Sequence, residues 1–362
     1  KDYIKECISE YNLDKQYRLA IAEVNNFNSY IDEEVIVEEV VTEKIKSIIN
    51  KIIELFKKFV AGIKKIALKV VEIVNFKFDK TKNAIEKAKN AIKNYKSDNV
   101  RSEAADGKYI SIFSEIGIYD HKFNLNETHI KNLFSYDKKI FSYFYNIKDD
   151  IISDDFEYKF NKNKEKFDNF CKDELSNFEA NHFSITIVDK LIHDDDPVFA
   201  QKTNINYIEK ISGFLSIYSK EMKSFEAEAS KLISNASTLN QNANHDGSEI
   251  SNNITKLYSF SQEIISQSNK LFNYLTNNFS VLNKELSHAI GILEENTNKI
   301  LESLYEYLEY NRYKFIIDDI KNVYQEKGKK TRNEALKKVK KEEKKLVKLN
   351  KKINGKNIFK IK

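Results

Sequence analysis

His193, Asp194, Asp195 and Asp196 stand side by side and carry the densest set of ligand atoms in the chain. An imidazole and three carboxylates could hold a divalent cation. A calcium loop, however, alternates its oxygen ligands around a central glycine and closes on a distal glutamate. This run does none of that and leads straight into Pro197, so it reads as an acidic turn. The pairs Asp149/Asp150 and Asp154/Asp155 read the same way. His121, His129, His182, His245 and His288 are scattered, with no His-x-x-x-His spacing. No Gly-x-Ser-x-Gly, phosphate-loop or dinucleotide-binding glycine pattern occurs. Cys7 and Cys171 make neither a disulfide framework nor a metal set. Nothing in the spacing pairs Cys171 with a histidine as a nucleophile. The sequence therefore nominates no catalytic residue, no cofactor-binding residue and no metal ligand, and the expectation is a protein that is not an enzyme and uses no cofactor.

The side chains that remain to do chemistry are lysines. They fall in two blocks. The first lies within Lys44–Val74, KIKSIINKIIELFKKFVAGIKKIALKVVEIV, where Lys57, Lys58, Lys64 and Lys65 recur between apolar residues. The second is the end of the chain, where Lys337, Lys338, Lys340, Lys341, Lys344 and Lys345 meet only Glu334, Glu342 and Glu343. Ammonium groups at this density suit phosphates, anionic lipid headgroups or an acidic protein surface. No zinc pattern, RNA-recognition motif or helix-turn-helix supplies base readout, so any DNA contact would be non-specific.

Something must position those lysines. Ile45, Ile48, Ile49, Ile52, Phe56, Phe59, Val60, Ile63 and Val70 recur at steps of three and four, the period of one helix face. The stretch predicts a basic amphipathic helix roughly 45 Å long, with Gly62 as a candidate bend. Three uses of its apolar face are open: membrane contact, packing on another subunit, or filling this protein's own core. The expectation carried forward is docking on itself or on neighbouring subunits.

Composition narrows the fold. Of 362 residues only 8 are glycine and 1 is proline, far below the ~7 % and ~5 % usual in globular chains. Few tight turns mean few connections. The predicted fold is mainly α, an elongated bundle of long helices with a small β element near residues 109–125. Abundant Lys, Asn and Ile reflect coding bias first. No run approaches the ~20 apolar residues of a membrane span, and the N-terminus does not resemble a secretory signal.

Four segments follow. Residues 1–96 hold an acidic helix, with Asp32, Glu33, Glu34, Glu38, Glu39 and Glu43 before the basic one, then a second basic helix from about Asp79. Residues 108–200 are aromatic-rich and helical with minor β structure. They include strand candidates around 109–113, 116–119, 122–125 and 182–188, and the loop at 193–197. Residues 204–326 read as a long helical hairpin turning at 240–248, with breaks near Asn277 and Gly291. Residues 327–362 are a basic tail. The formal net charge of +5 conceals this segregation.

The opening resembles virion proteins of tailed bacteriophages that infect low-GC Gram-positive hosts. The residues that carry the likeness are Ala22-Glu23-Val24-Asn25-Asn26-Phe27-Asn28, leading through Glu33–Glu43 into KIKSIINKIIELFKKFVAGIKKI. It covers about the first quarter of the chain. The resemblance implies a minor or internal structural component of the phage head, localised to the virion, with other virion proteins or itself as partners in an oligomer and non-specific DNA contact. Such components are often trimmed by a maturation protease. Met222 is the only methionine, so Lys1 is expected to be a trimmed end or to follow an omitted initiator. The alternative is a secreted α-helical pore-forming toxin or other membrane-active protein, which stores an amphipathic element against its body. Residues 45–74 are richer in lysine than such an element usually is.

Overall fold

In the computed structural model, described residues are 2–26, 41–97, 108–118, 123–179, 183–242, 248–324, and, of the tail, 334, 337, 338, 340, 341 and 343–348. The acidic residues 32–39 and the histidines at 121, 182 and 245 lie outside them.

The fold is mainly α, as composition requires. Three long helices make its frame: α2 (Val41–Ser97), α6 (Pro197–Ser237) and α7 (Ser248–Tyr324). At 1.5 Å per residue α7 is on the order of 115 Å long and α2 about 85 Å. α1 (Asp2–Asn26) lies along α2. Pairings along the rod set directions. Gln201 bonds to α7 at Leu293 and Thr297, while Phe225 stacks on Phe272. α6 is therefore antiparallel to α7.

Four expected interruptions are absent. α2 continues through Gly62 and through Asn75–Phe78, so the two basic helices are one. α7 continues through Asn277 and Gly291. Propensity marks a glycine as about 1 kcal/mol unfavourable in a helix; burial of long apolar stripes on both sides outweighs that. α6 starts at Pro197, seven residues earlier than periodicity suggests. Asp196 caps it, accepting from the Val198 and Phe199 amides, and proline occupies the first turn, where no amide is needed.

Between α2 and α6 the chain forms β1 (Tyr109–Ile112), β2 (Glu115–Ile118), β3 (Phe123–Asn124), α3 (Glu127–Tyr145), α4 (Phe156–Phe170), α5 (Ser176–Glu179), β4 (Ile185–Val188) and β5 (Leu191–Asp194). β1 pairs with β5, and β2 pairs with both β3 and β4, all antiparallel. Ile112 faces Leu191 and Glu115 faces Val188, so the register does not slip between the two sheets. They form one ribbon, interrupted at 113–114 and, opposite, at 189–190. The expected loop at 193–197 is thus corrected: His193 and Asp194 are strand residues.

A two-stranded ribbon has open edges that need partners. Here buried asparagines on the long helices supply them. Asn204 accepts from the Ile112 amide and donates to the Ile110 carbonyl, both at 2.8 Å. Asn296 clasps both backbone groups of Ile110, and Asn278 accepts from Ile185 and donates to Phe183. The aromatic insert then packs on the frame: Phe134 on Tyr218, Phe141 on Phe225, and Phe144 on Phe56. One contiguous apolar core runs from Tyr17 in α1 to Leu293 in α7.

Candidate contact surface

The apolar face of α2 is covered by this chain itself. Ile45, Ile49, Ile52, Phe56, Phe59, Val60, Ile63 and Val70 are all buried, and Ile48 is half-buried against the same core. The expectation that this face docks on a neighbour is therefore corrected: α6, α7 and α1 fill it. Each such side chain removed from water contributes about 1.5–3 kcal/mol, so the face belongs to the folded core and offers little to a partner.

What α2 leaves outside is charge. Lys57, Lys58, Lys64 and Lys65 are exposed, as are Lys44, Lys46 and Lys51. Lys57 pairs with Glu54 at 2.7 Å, and Lys65 pairs with Glu23 of α1. Among the described residues Lys44, Lys46, Lys51, Lys58 and Lys64 make no ion pair. The first half of α2 thus presents a rail of positive charge along one end of the rod.

Farther along, the stripe admits a lysine. Lys77 occupies an apolar-stripe position and is 2 % exposed. It pairs with Glu10 of α1 and donates to the Ser287 hydroxyl of α7; Lys80 reaches the same Glu10 at 2.8 Å. Burial would raise the Glu10 carboxyl, but its bonds to the two lysines outweigh that and hold it below the ordinary range. Burial in turn lowers Lys77, against the pull of Glu10. The group closes α1 onto the frame and is structural.

The basic tail is helical where described, and it is not simply solvated. Leu346 packs with Leu304 and Leu308, Glu343 lies 3.8 Å from Arg312, and the Lys338 ammonium sits 5.9 Å from the centre of the Phe315 ring. The tail therefore runs back antiparallel along the end of α7. Lys337, Lys338, Lys340, Lys341 and Lys344 remain exposed, and Lys345 is half-buried. Tyr95, at the end of α2, packs against the same leucine cluster. Along α2, Lys58 and Tyr95 are on the order of 55 Å apart. The two basic patches stand at opposite ends of the molecule.

Several other residues singled out by type have structural roles. Asp194 accepts from the Ser111 hydroxyl and the Asp196 amide, and Asp196 caps α6. Asp150 and Asp155 both bind Lys159. Cys171 is half-buried; burial first, and Asp168 second, push its thiol up to about 11. An activated nucleophile needs the opposite shift.

Two surface features carried no sequence signal strong enough to raise an expectation. A groove of about 950 Å³ opens between α2 and α6, lined by Val74, Phe78, Thr81, Ile85, Gly213 and Leu215 among others. Asp189, Glu285 and His288 converge where the ribbon meets α7. The hint for the second was the Glu-x-x-His spacing at 285–288, which a search for His-x-x-x-His passes over.

The chain matches no family model, no curated protein and no solved structure.

Proposed function

We propose that this protein is a non-enzymatic structural component of a tailed-phage virion, head-associated or internal, which joins its assembly through charge. The observation that carries this is the division of α2. Its apolar face is consumed by the chain's own core, while five lysines of its outer face have no acidic partner among the described residues. Lysines kept unpaired on a rigid helix remain available to an external anion, at the expense of mutual repulsion. The exposed tail lysines form a second such patch at the far end. A rod with a cationic patch at each end can bridge two stretches of DNA or two acidic neighbours. The phage context rests on the resemblance of the first quarter of the chain.

Fluorescence anisotropy with a random-sequence DNA duplex tests the contact. Non-specific affinity of about 1–100 µM is expected near physiological salt. Binding should weaken more than tenfold between about 50 and 200 mM salt, as release of counterions requires. The double variant Lys58→Glu/Lys64→Glu should bind several-fold more weakly at fixed salt and fold normally. Absence of binding at low salt would leave DNA out, and failure to co-fractionate with phage particles would overturn the virion reading.

One observation favours the membrane-active alternative. The ribbon exposes Phe113, Val188, Leu191 and Ile192, with Phe199 beside Phe113. Among the described residues no helix is long and apolar enough to cross a membrane. Dye release from anionic liposomes at micromolar protein would favour this reading over the first.

A further inference from the structure

Glu285 and His288 stand three residues apart on α7, so both side chains leave the same face of the helix. Bundle proteins use this Glu-x-x-His spacing to direct a carboxylate and an imidazole at one metal ion. The ribbon supplies a third group. Its interruption at 189–190 places Asp189 against that face of α7, held there because the Lys190 amide donates to the Ser114 hydroxyl and the Phe113 amide to the Lys190 carbonyl. One ligand atom from each of Asp189, Glu285 and His288 lies within 4.8 Å of the others.

The environment is that of an incomplete cation site. Glu285 is 8 % exposed. Its Oε1 accepts from the Tyr207 hydroxyl of α6 at 2.8 Å, and its Oε2 is 3.8 Å from His288 Nδ1, beyond hydrogen-bond length. No lysine or arginine pairs with Glu285 or Asp189 among the described residues. Two carboxylates thus approach each other, one of them buried, with only a hydroxyl and an imidazole to compensate. In its bond to Glu285 the Tyr207 hydroxyl is the donor. A donor of that kind beside a ligating carboxylate orients it and sets which oxygen faces the ion. Asp189 and His288 are open to solvent, which gives an ion its entry path.

We propose that Asp189, Glu285 and His288 bind a first-row divalent metal ion of the zinc class, which fastens the β ribbon to α7. Two oxygens and an imidazole nitrogen suit Zn²⁺ and its neighbours; Ca²⁺ and Mg²⁺ prefer oxygen alone. Ligands about 2.1 Å from a tetrahedral ion stand roughly 3.4 Å apart, so a rotamer adjustment of about an ångström closes the set. Three protein ligands leave a position for water. The site is independent of the lysine surfaces, and neither proposal depends on the other.

The test is titration of the full chain with Zn²⁺ alone, by calorimetry in the presence of a weak competing chelator. One equivalent is expected to bind with micromolar or tighter affinity and to raise the thermal midpoint. His288→Ala and Asp189→Asn, both at solvent-open positions, should each weaken that binding at least tenfold while helical circular dichroism is unchanged. His193→Gln, on the outer ribbon, should leave it intact. Zinc that binds the two site variants as tightly as the wild type, or no binding in competition with the chelator, overturns the proposal.

Discussion

Asp137 is fully buried on α3, and only one of its carboxylate oxygens has a partner, the Ser268 hydroxyl at 3.3 Å. Burial raises its pKa well above the ordinary carboxylate value. The sign follows. A carboxyl whose folded pKa lies above its unfolded pKa favours the fold in acid, and that contribution is lost as pH rises from about 4 through the folded value. Above that window the fold carries the full burden of a buried, half-satisfied carboxylate. Asp137→Asn should therefore raise the thermal midpoint at pH 7.5 by about 2–6 °C, the shift that roughly 1–3 kcal/mol produces in a chain of this size class. The gain should vanish below about pH 4, where the wild-type side chain is neutral in both states. Thermal melts at the two pH values check both halves of the claim. Nothing in the residues around 137 distinguishes this aspartate from the solvent-exposed ones; only the packing of α3 on α7 does.

The long helices show how far a local rule extends. Gly291 in α7 was a candidate break and Gly213 lies inside α6, yet both helices run through. A methyl group at either position would meet nothing within 4 Å. Neither glycine is there for close approach or for a left-handed backbone, so each only weakens its helix. Gly213→Ala and Gly291→Ala should each stabilise by about 0.5–1 kcal/mol, read as a higher midpoint in urea with an unchanged slope. A loss of stability at Gly213 would mean that the groove beside it has to stay open for the fold itself. Periodicity placed most of the α2 stripe, because steps of three and four survive any change of partner, although Leu55, Ile66 and Ile73 are buried there as well. It could not say which surface the stripe meets. It also missed Lys77, a charged residue on the stripe, because the partner that neutralises it, Glu10, is 67 positions away.

At the scale of the whole molecule, most of the chain shares one core, and the tail does not. Among the described residues of 334–348 only Leu346 is buried, within a small cluster separate from the main core. Segments with few buried apolar contacts open more readily than the core does. Backbone amides at 343–348 should exchange with solvent at least ten times faster than those of 52–70, as hydrogen-exchange mass spectrometry can read. Equal protection would make the tail an integral layer of the rod. The exposed tail lysines would then be held as rigidly as those of α2, which would stiffen the spacing between the two cationic patches.

Scarcity of glycine and proline was enough to determine a mainly helical fold, because a chain without turn formers has few ways to reverse. Three/four spacing determined the helix faces, and alternation at 109–118 the first strands, because these periods are properties of the backbone. The second strand pair was half hidden: Leu191–Asp194 is short, charged and pairs at the ribbon's far side, so its pairing partner rather than its composition makes it a strand. Which asparagines are structural, which acid is buried, what covers α2, and that Asp189 meets Glu285 and His288 were decided only in three dimensions. Each depends on groups separated by tens to hundreds of residues, and a linear pattern carries no information about who arrives beside whom.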